Sequence, residues 1–475
     1  MRTQYFFQYS TLKSPKIKFI ALLIFLLIAP MTFGQNRIQK IDSLLTSIYN
    51  SGKLNGNVLI AEKGQVIYNR SFGFANLITK KKLDENSVFG LASVSKQFTA
   101  MAIVILKEQG KLNFDDKITK YLPELTAYNN ISIRNLLNHT SGLIPDLEKD
   151  TKEAKEYMST KLVGNTVTNK DVVAFLSIYK PKLRFSPNTK LEYCNTGYDL
   201  LASIIEKVSG VTYAEYLNKV IFKPLELKNT FVYSPGLVPD KNHAYDYIYS
   251  DSLKKYLSAD SIINKNNVKV ALDGGGVYST VIDLLKWDRA LYTDKLVSNS
   301  SLKEIFEPAI LNDKTTSSYG FGWFIQQDPN YGKLVFHTGG DRGYSSCIVR
   351  QLDNDKTIII LENYSPGLFP IDVINRNLYS IPLPKEIKLS QEQNQALEGI
   401  YGIQKGPDLR VWSENGKLFA QVTGQNVVPL FAENELLLFA KIYDLKLQFE
   451  KNNQGKITRL FILKGGNKTM LEKRK

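Results

Sequence analysis

The sequence predicts an α/β fold with an antiparallel sheet flanked by helices, a helical lobe, and a small all-β, barrel-like domain at the C-terminal end. Three observations predict this. The run from Phe98 to Leu106 is apolar except for one residue, which favours a helix buried on all sides. Segments between residues 321 and 361 alternate or are apolar throughout, as antiparallel strands are. Beyond residue 397, short strand-like segments recur between turn residues, which favours a barrel or sandwich.

The chain of 475 residues is longer than one usual hydrophobic core, and 43% of its residues are hydrophobic. We predict a signal peptide over 1–34, a main domain over 35–380, a linker over 381–391 and an antiparallel β-domain over 392–475. The linker is indicated by Pro382 and Pro384, and Asn415-Gly416 marks a hairpin turn beyond it.

The first residues are typical of an export signal. Basic residues precede the apolar run from Phe19 to Ala29, and Thr32 and Gly34 supply small residues for cleavage. The apolar run is short for a membrane span. We therefore expect an exported protein, periplasmic or secreted, with an uncleaved segment that tethers it to the membrane as the alternative.

Composition limits the partners and the cofactors that we expect. The formal net charge of +15 is spread along the chain, which allows weak association with an anionic envelope but shows no nucleic-acid motif. The chain has three histidines without metal-ligand spacing, so we expect neither a zinc site nor another cofactor. Cys194 and Cys347 have apolar or aromatic neighbours, which favours two buried free thiols, with one disulfide as the alternative.

The N-terminal part of the main domain predicts a helix followed by a hairpin. Apolar residues recur at helical spacing from Ile38 to Ile48. Two strand-like segments, Val58 to Ala61 and Gln65 to Tyr68, then flank a short turn.

Ser93 and Lys96 lie in the predicted first turn of the buried helix. Residues three apart share a helix face, so the hydroxyl and the amine are within reach of each other. The same spacing recurs at four other serines, including Ser177, so by itself it is more typical of a helix cap with a solvated lysine. Context must decide between the two interpretations.

Two further polar motifs follow. Tyr193 and Asn195 stand just before an amphipathic segment that Gly210 ends, which places them at a helix N-terminus; a capping Asn with a packing Tyr is the alternative. His337-Thr338-Gly339 ends a strand, where glycine permits close approach of another backbone.

Taken in order, these three motifs resemble those of the serine β-lactamase and penicillin-binding-protein superfamily. The Tyr-x-Asn form is most similar to the branch of class C β-lactamases and D,D-peptidases. Flanking segments at 136–143, 197–201, 275–279 and 343–346 also resemble family landmarks, and the resemblance extends over about 38–379. It implies a β-lactamase/transpeptidase-like fold and acyl transfer.

The resemblance also implies roles for individual residues. Ser93 would attack a carbonyl carbon and form an acyl-enzyme. Lys96 and Tyr193 are both candidates for the general base, and the sequence leaves the choice open. Asn195 would orient Lys96 or the substrate amide, and the backbone N–H groups of Ser93 and Gly340 would form the oxyanion hole.

His337 departs from the usual lysine of this motif. A histidine with an ordinary pKa of about 6.5 is only partly charged at neutral pH, so binding of a substrate carboxylate by a cationic His337 would depend on pH. Arg342 could restore the charge. We expect a small-molecule or peptide substrate, such as a cell-wall peptide, and hydrolysis of D-amino-acid peptides, amides or esters. A β-lactamase and a penicillin-binding sensor with little turnover are the alternatives.

A Ser-His-Asp hydrolase is disfavoured because the chain has no Gly-x-Ser-x-Gly elbow. His139, in the segment Asn138-His139-Thr140, is accordingly interpreted as a structural loop residue.

Overall fold

The structure is a computed structural model, and it describes residues 36–145, 152–153, 156–157, 166–233, 242–250, 252–259, 269–271, 276–403, 406–423, 427–441, 445–464 and 467–474. The described chain forms two compact units, one of residues 48–369 and one of the remaining described residues. The predicted signal peptide over 1–34 lies outside the described residues. Within them, no helix is long and apolar enough to cross a membrane.

The larger unit contains most of the helices. Helix α1 covers residues 36–50, so its last turn belongs to this unit. The helices that follow are α2 (Lys96–Glu108), α3 (Ile133–Leu137), α4 (Asn169–Tyr179), α5 (Asn195–Ser209), α6 (Tyr213–Leu217), α7 (Val281–Ala290) and α8 (Asn299–Ile305).

The strands of this unit are β1 (Gly56–Glu62), β2 (Gln65–Phe72), β3 (Phe74–Asn76), β4 (Lys81–Lys82), β5 (Phe89–Gly90), β6 (Thr166–Thr168), β7 (Phe231–Val232), β8 (Tyr247–Ser250), β9 (Lys255–Ser258), β10 (Lys269–Ala271), β11 (Val277–Ser279), β12 (Phe324–Asp328), β13 (Gly332–Asp341), β14 (Tyr344–Gln351), β15 (Lys356–Glu362) and β16 (Tyr364–Ser365).

Six of these strands form an antiparallel sheet in the order β12-β13-β14-β15-β1-β2. The central strands β14 and β15 are buried almost throughout, because both of their faces are covered. The predicted α/β fold with an antiparallel sheet flanked by helices is confirmed, as is the hairpin of β1 and β2.

Helix α2 is the buried helix that the sequence predicts. Every residue from Lys96 to Leu106 is buried, although this stretch includes a lysine, a glutamine and a threonine. The helix ends just before Gly110, whose φ of +70° is the left-handed conformation that ends many helices. Helix α5 ends in the same way at Gly210, with φ of +75°. Both helices pack in the apolar core of this unit.

The smaller unit combines the first described residues, 36–47, with the C-terminal part of the chain from residue 370. It contains residues 36–47 of α1 together with α9 (Ile371–Leu378) and α10 (Gln391–Leu397), and the predicted linker over 381–391 runs from just after α9 to the first residue of α10. A closed barrel follows, formed by β17 (Gly399–Gly402), β18 (Leu409–Glu414), β19 (Lys417–Val422), β20 (Val428–Asn434), β21 (Leu437–Ala440), β22 (Lys446–Lys451), β23 (Ile457–Lys464) and β24 (Asn467–Lys473). The barrel-like domain is therefore confirmed.

Candidate active site

Ser93 lies in a tight 3-10 turn, Ala92–Ser95, that leads directly into α2. Ala92 has a φ of +48°, a left-handed conformation that costs an L-residue about 1–2 kcal/mol. Such strain persists only where the surroundings impose it, and it is concentrated at functional sites. The turn presents Ser93 as a partly exposed residue between buried neighbours.

Hydrogen bonds hold this turn on two sides. The N–H of Leu91 donates to Val277 O at 2.9 Å, and the N–H of Val277 donates to Ser95 Oγ at 3.0 Å. From β14, the hydroxyl of Ser346 donates to Leu91 O at 2.6 Å. The backbone before and after Ser93 is thus fixed by strands β11 and β14.

Strand β13 passes directly against the same turn. A Cβ atom on Gly339 would overlap Leu91 O and Ser346 Oγ and would lie 3.1 Å from Ala92 Cβ. The close approach of this turn therefore requires glycine at position 339.

The side chains of Ser93, Lys96 and Asn195 come together. Lys96 Nζ lies 3.1 Å from Ser93 Oγ and 2.9 Å from Asn195 Oδ1. The 3-10 turn supplies the serine, the first residue of α2 supplies the lysine, and the first residue of α5 supplies the asparagine. Lys96 is only 2% exposed, so its Nζ contacts these oxygens in a site largely closed to solvent.

Aromatic rings surround the lysine on its other side. Lys96 Nζ lies 5.1 Å from the ring centroid of Tyr193 and 5.5 Å from that of Tyr198, distances at which a cation is attracted to a ring face. The hydroxyl of Tyr193 is buried and has no hydrogen-bond partner among the described residues. The structure therefore places the Tyr193 ring beside Lys96 without a hydrogen bond from its hydroxyl to Ser93.

His337 is 1% exposed, and both of its ring nitrogens have partners. Nδ1 lies 2.7 Å from Thr338 O, which can only accept, so Nδ1 carries the proton. Nε2 then accepts from the hydroxyl of Tyr319 at 2.9 Å. Burial, and secondarily the charge of Lys96, lower the pKa of His337 to about 3.

A buried, neutral imidazole does not fit a cation that binds a substrate carboxylate, and His337 as a substrate-binding residue stays a prediction. The sequence did not reveal that Tyr319 and Phe324 cover the imidazole, with ring centroids 5.8 Å and 5.2 Å away. Arg342 lies in the turn between β13 and β14 with a φ of +51°, and its role as a replacement cation stays a prediction.

One edge of β13 is open beside Ser93. Strand β12 pairs with β13 only as far as Phe336, whereas β14 pairs with it as far as Asp341. Within the described part of the chain, no strand covers the β12 side of residues 337–341, and Thr338 and Gly340 are exposed there. An extended substrate could add to this edge as a further strand.

His139 follows α3 and is 1% exposed. Its ring lies between those of Tyr193 and Tyr319, with centroid distances of 4.3 Å and 4.4 Å. Burial raises the pKa of Tyr319 and of Tyr198 well above 10, so both phenols stay neutral. The sequence analysis missed Tyr198, Tyr319 and Ser346 as parts of the site, although Tyr198 and Ser346 each stand in a segment that resembles a family landmark.

Cys194 and Cys347 are both free and buried, as expected. Burial raises the pKa of the Cys194 thiol to about 12, which keeps it protonated. In the residues that the structure describes, no three His, Cys, Asp or Glu side chains converge to hold a metal ion.

Comparison with known proteins agrees with this geometry. A family model described as Beta-lactamase matches residues 41–379, which is more than half of the chain. The chain belongs to the Beta-lactamase family. Members of this family are serine hydrolases of the β-lactamase and penicillin-binding-protein superfamily, so the predicted family is confirmed.

Individual relatives match over most of their length. Penicillin-binding protein 4* of Bacillus subtilis (strain 168) is 35% identical over 439 residues, which cover 87% of this chain and 94% of the relative. Protein flp of Staphylococcus aureus (strain MW2) is 26% identical, covering 72% of this chain and 68% of the relative. The octameric penicillin-binding protein homologue from Pyrococcus abyssi is 25% identical with a TM-score of 0.64, covering 92% of this chain and 98% of that one.

Proposed function

We propose that the protein is an exported serine hydrolase that forms an acyl-enzyme on Ser93 and acts on D-amino-acid peptides, amides or esters. The observation that carries this proposal is the contact of Lys96 Nζ with Ser93 Oγ at 3.1 Å and with Asn195 Oδ1 at 2.9 Å. A serine beside a lysine amine that a third group orients is the arrangement of an activated nucleophile.

In the proposed reaction, Ser93 Oγ bonds to the substrate carbonyl carbon while its proton passes to Lys96 Nζ, which must be deprotonated to accept it. The bond from that carbon to the leaving nitrogen or oxygen then breaks, and the leaving group takes up a proton. Water attacks the resulting ester and restores the Ser93 hydroxyl. Geometry favours Lys96 over Tyr193 as the base, because the amine already touches Oγ.

The oxyanion would be bound by the backbone N–H groups of Ser93 and Gly340. Two features support this assignment: the turn that carries Ser93 is fixed by hydrogen bonds, and Gly340 lies on the open edge of β13, where a Cβ atom would meet no other atom within 4 Å. Donors held in place before the reaction stabilise developing charge without reorganisation.

The substrate class is proposed from the open edge and from His337. The edge of β13 suits an extended peptide, an amide or an ester that lies across Ser93. Because His337 is buried and neutral, it supplies no charge for a substrate carboxylate. Acyl donors whose recognition does not depend on a cation at this position are therefore favoured over β-lactam turnover.

A penicillin-binding sensor with little turnover is the second candidate. It is favoured by the 35% identity to a relative named as a penicillin-binding protein. Such a protein needs the same nucleophile and the same first step, and it differs only in the rate at which water releases the acyl group.

Covalent labelling tests both candidates. A fluorescent β-lactam and a fluorophosphonate should label the wild type and should fail to label Ser93→Ala. Ser177→Ala is the matched control, because Ser177 has the same spacing to a lysine and lies on α4, where its hydroxyl donates to Ala174 O. Labelling of Ser93→Ala at the wild-type level would exclude the covalent mechanism.

Turnover then separates the two candidates. Release of product from a panel of D-amino-acid amides, D-Ala-D-Ala peptides, simple esters and β-lactams supports a hydrolase. A stable adduct with no product from any of these supports the sensor. Export is tested by cell fractionation and by sequencing the N-terminus of the mature protein, which should begin near residue 35; an intact N-terminus in the membrane fraction would indicate a tether.

A further inference from the structure

The proposed mechanism makes no use of His139, a buried polar side chain beside the reacting groups. It follows α3, is 1% exposed and has a φ of +58°. A histidine in the left-handed region is strained by about 1–2 kcal/mol, so neighbouring contacts must impose the conformation.

Two of these contacts bracket Tyr193. The carbonyl oxygen of His139 accepts from the N–H of Glu192 at 2.9 Å, and its Nδ1 accepts from the N–H of Cys194 at 3.1 Å. The next amide, that of Asn195, donates to Pro145 O at 2.9 Å. His139 thus fixes the backbone on both sides of Tyr193. The second of these contacts, at Cys194, immediately precedes Asn195, which binds Lys96.

These bonds require one form of the imidazole. A backbone N–H only donates, so Nδ1 must carry its lone pair and the proton of the neutral ring lies on Nε2. Protonation of Nδ1 would place an N–H donor of the ring opposite the N–H donor of Cys194, and the hydrogen bond between them would be lost. Burial above all, then the charge of Lys96, lower the pKa of His139 well below 6.5, so the acceptor persists through the neutral range.

The ring also supports the aromatic wall beside the lysine. Its centroid lies 4.3 Å from that of Tyr193 and 5.1 Å from that of Tyr198, the two rings that Lys96 Nζ faces. The other titratable group that acts on the imidazole is His337. The Nε2 atom is buried and has no hydrogen-bond partner in the described part of the structure.

We propose that His139 is a positioning residue of the acyl-transfer site, and that its Nδ1 acceptor and its ring hold Tyr193 and Asn195 in place against Lys96. The inference rests on the proposed function for its kinetic consequence. Its structural part, the fixing of residues 192–195, does not depend on any activity.

Two substitutions separate the acceptor from the ring. His139→Asn keeps an acceptor near the position of Nδ1 and tolerates a left-handed backbone. His139→Phe keeps a ring but removes the acceptor. We expect His139→Phe to lower kcat for a chromogenic ester about 100-fold with KM within about threefold, as misplaced catalytic groups do. His139→Asn should retain kcat within about tenfold of the wild type.

The buried thiols give a readout that needs no activity. Cys194 belongs to the fixed segment, whereas Cys347 lies in β14 and serves as an internal control. Alkylation by N-ethylmaleimide, followed by mass spectrometry of each peptide, should be at least about tenfold faster at Cys194 in His139→Phe than in the wild type, with Cys347 unchanged. His139→Asn should match the wild type at both thiols.

Three outcomes would overturn the inference. The first is that His139→Phe keeps the wild-type kcat and the wild-type alkylation rate at Cys194. The second is that the alkylation rate rises equally at Cys347, which reports general destabilisation. The third is that the Asn and Phe variants lose kcat equally. If the wild type itself shows no Ser93-dependent turnover, the proposed function fails, and the Cys194 rates still decide whether His139 fixes the segment.

Discussion

Replacement of His337 by glutamine should weaken the pH dependence of stability. In the folded protein the pKa of His337 is lowered to about 3 from 6.5, chiefly by burial. Between these pH values the unfolded chain binds a proton that the folded protein does not, so stability is fully present above pH 6.5 and is lost as the pH falls towards 3.

The magnitude follows from the two pKa values. At pH 5 the unfolded imidazole is almost fully protonated and the folded one almost entirely neutral, which costs the wild type about 2 kcal/mol relative to pH 8. Glutamine does not titrate. The difference in unfolding free energy between pH 8 and pH 5 should therefore be about 2 kcal/mol smaller in His337→Gln, even though the variant also loses hydrogen bonds at both pH values.

Tryptophan fluorescence during urea unfolding provides the assay. The chain has three tryptophans, of which Trp287 and Trp323 are buried in the larger unit and Trp412 lies in the barrel. In a Trp412→Phe background the signal reports the unit that contains His337. If His337→Gln leaves the difference in unfolding free energy between pH 8 and pH 5 unchanged, the reasoning from a neutral buried imidazole is refuted.

Three further predictions have defined outcomes. Gly339→Ala should lower the unfolding free energy by about 1–3 kcal/mol, because its Cβ overlaps the turn before Ser93, whereas Gly340→Ala, which faces open space, should change it little in the same urea assay. Lys96→Met should lower kcat/KM for an ester about 10²–10⁴-fold if the amine is the general base, and a loss under about tenfold would reject that role. Asp288→Ala should lower the unfolding free energy by about 3–5 kcal/mol, because it leaves the fully buried Arg350 without the carboxylate that lies 2.6 Å from its Nε. A thermal unfolding midpoint equal to that of the wild type would contradict this prediction.

The fold could be predicted where the signal is local. The buried helix, the first hairpin and the strands of the sheet follow from runs and alternations of apolar residues. The last barrel strand, β24, was missed because its sequence is mostly polar, although Gly465-Gly466 is a hairpin signal. Helix α10 was also missed, although Ser390, which caps it, and Gln393 three residues later carry a capping-box signal.

The sequence predicted which side chains come together in the candidate site, but not how deeply each of them is buried. That the side chains of Ser93, Lys96 and Asn195 come together could be predicted, because motif spacing follows the geometry of helix starts. The neutral state of His337 could not, because it depends on Tyr319 and Phe324, which pack over the imidazole from a segment that the motif does not include. Burial of a polar group is decided by such distant contacts rather than by its neighbours in the chain.

The hydrogen bond from Lys96 to Asn195 joins residues 99 positions apart. Helices α2 and α5 can each form locally, but this bond forms only after a loop of that length has closed, which carries an entropic cost. Competence to acylate Ser93 should therefore appear late in refolding, after helical circular dichroism has recovered. Labelling with a fluorophosphonate at timed intervals during refolding would therefore measure how fast helices α2 and α5 dock against each other.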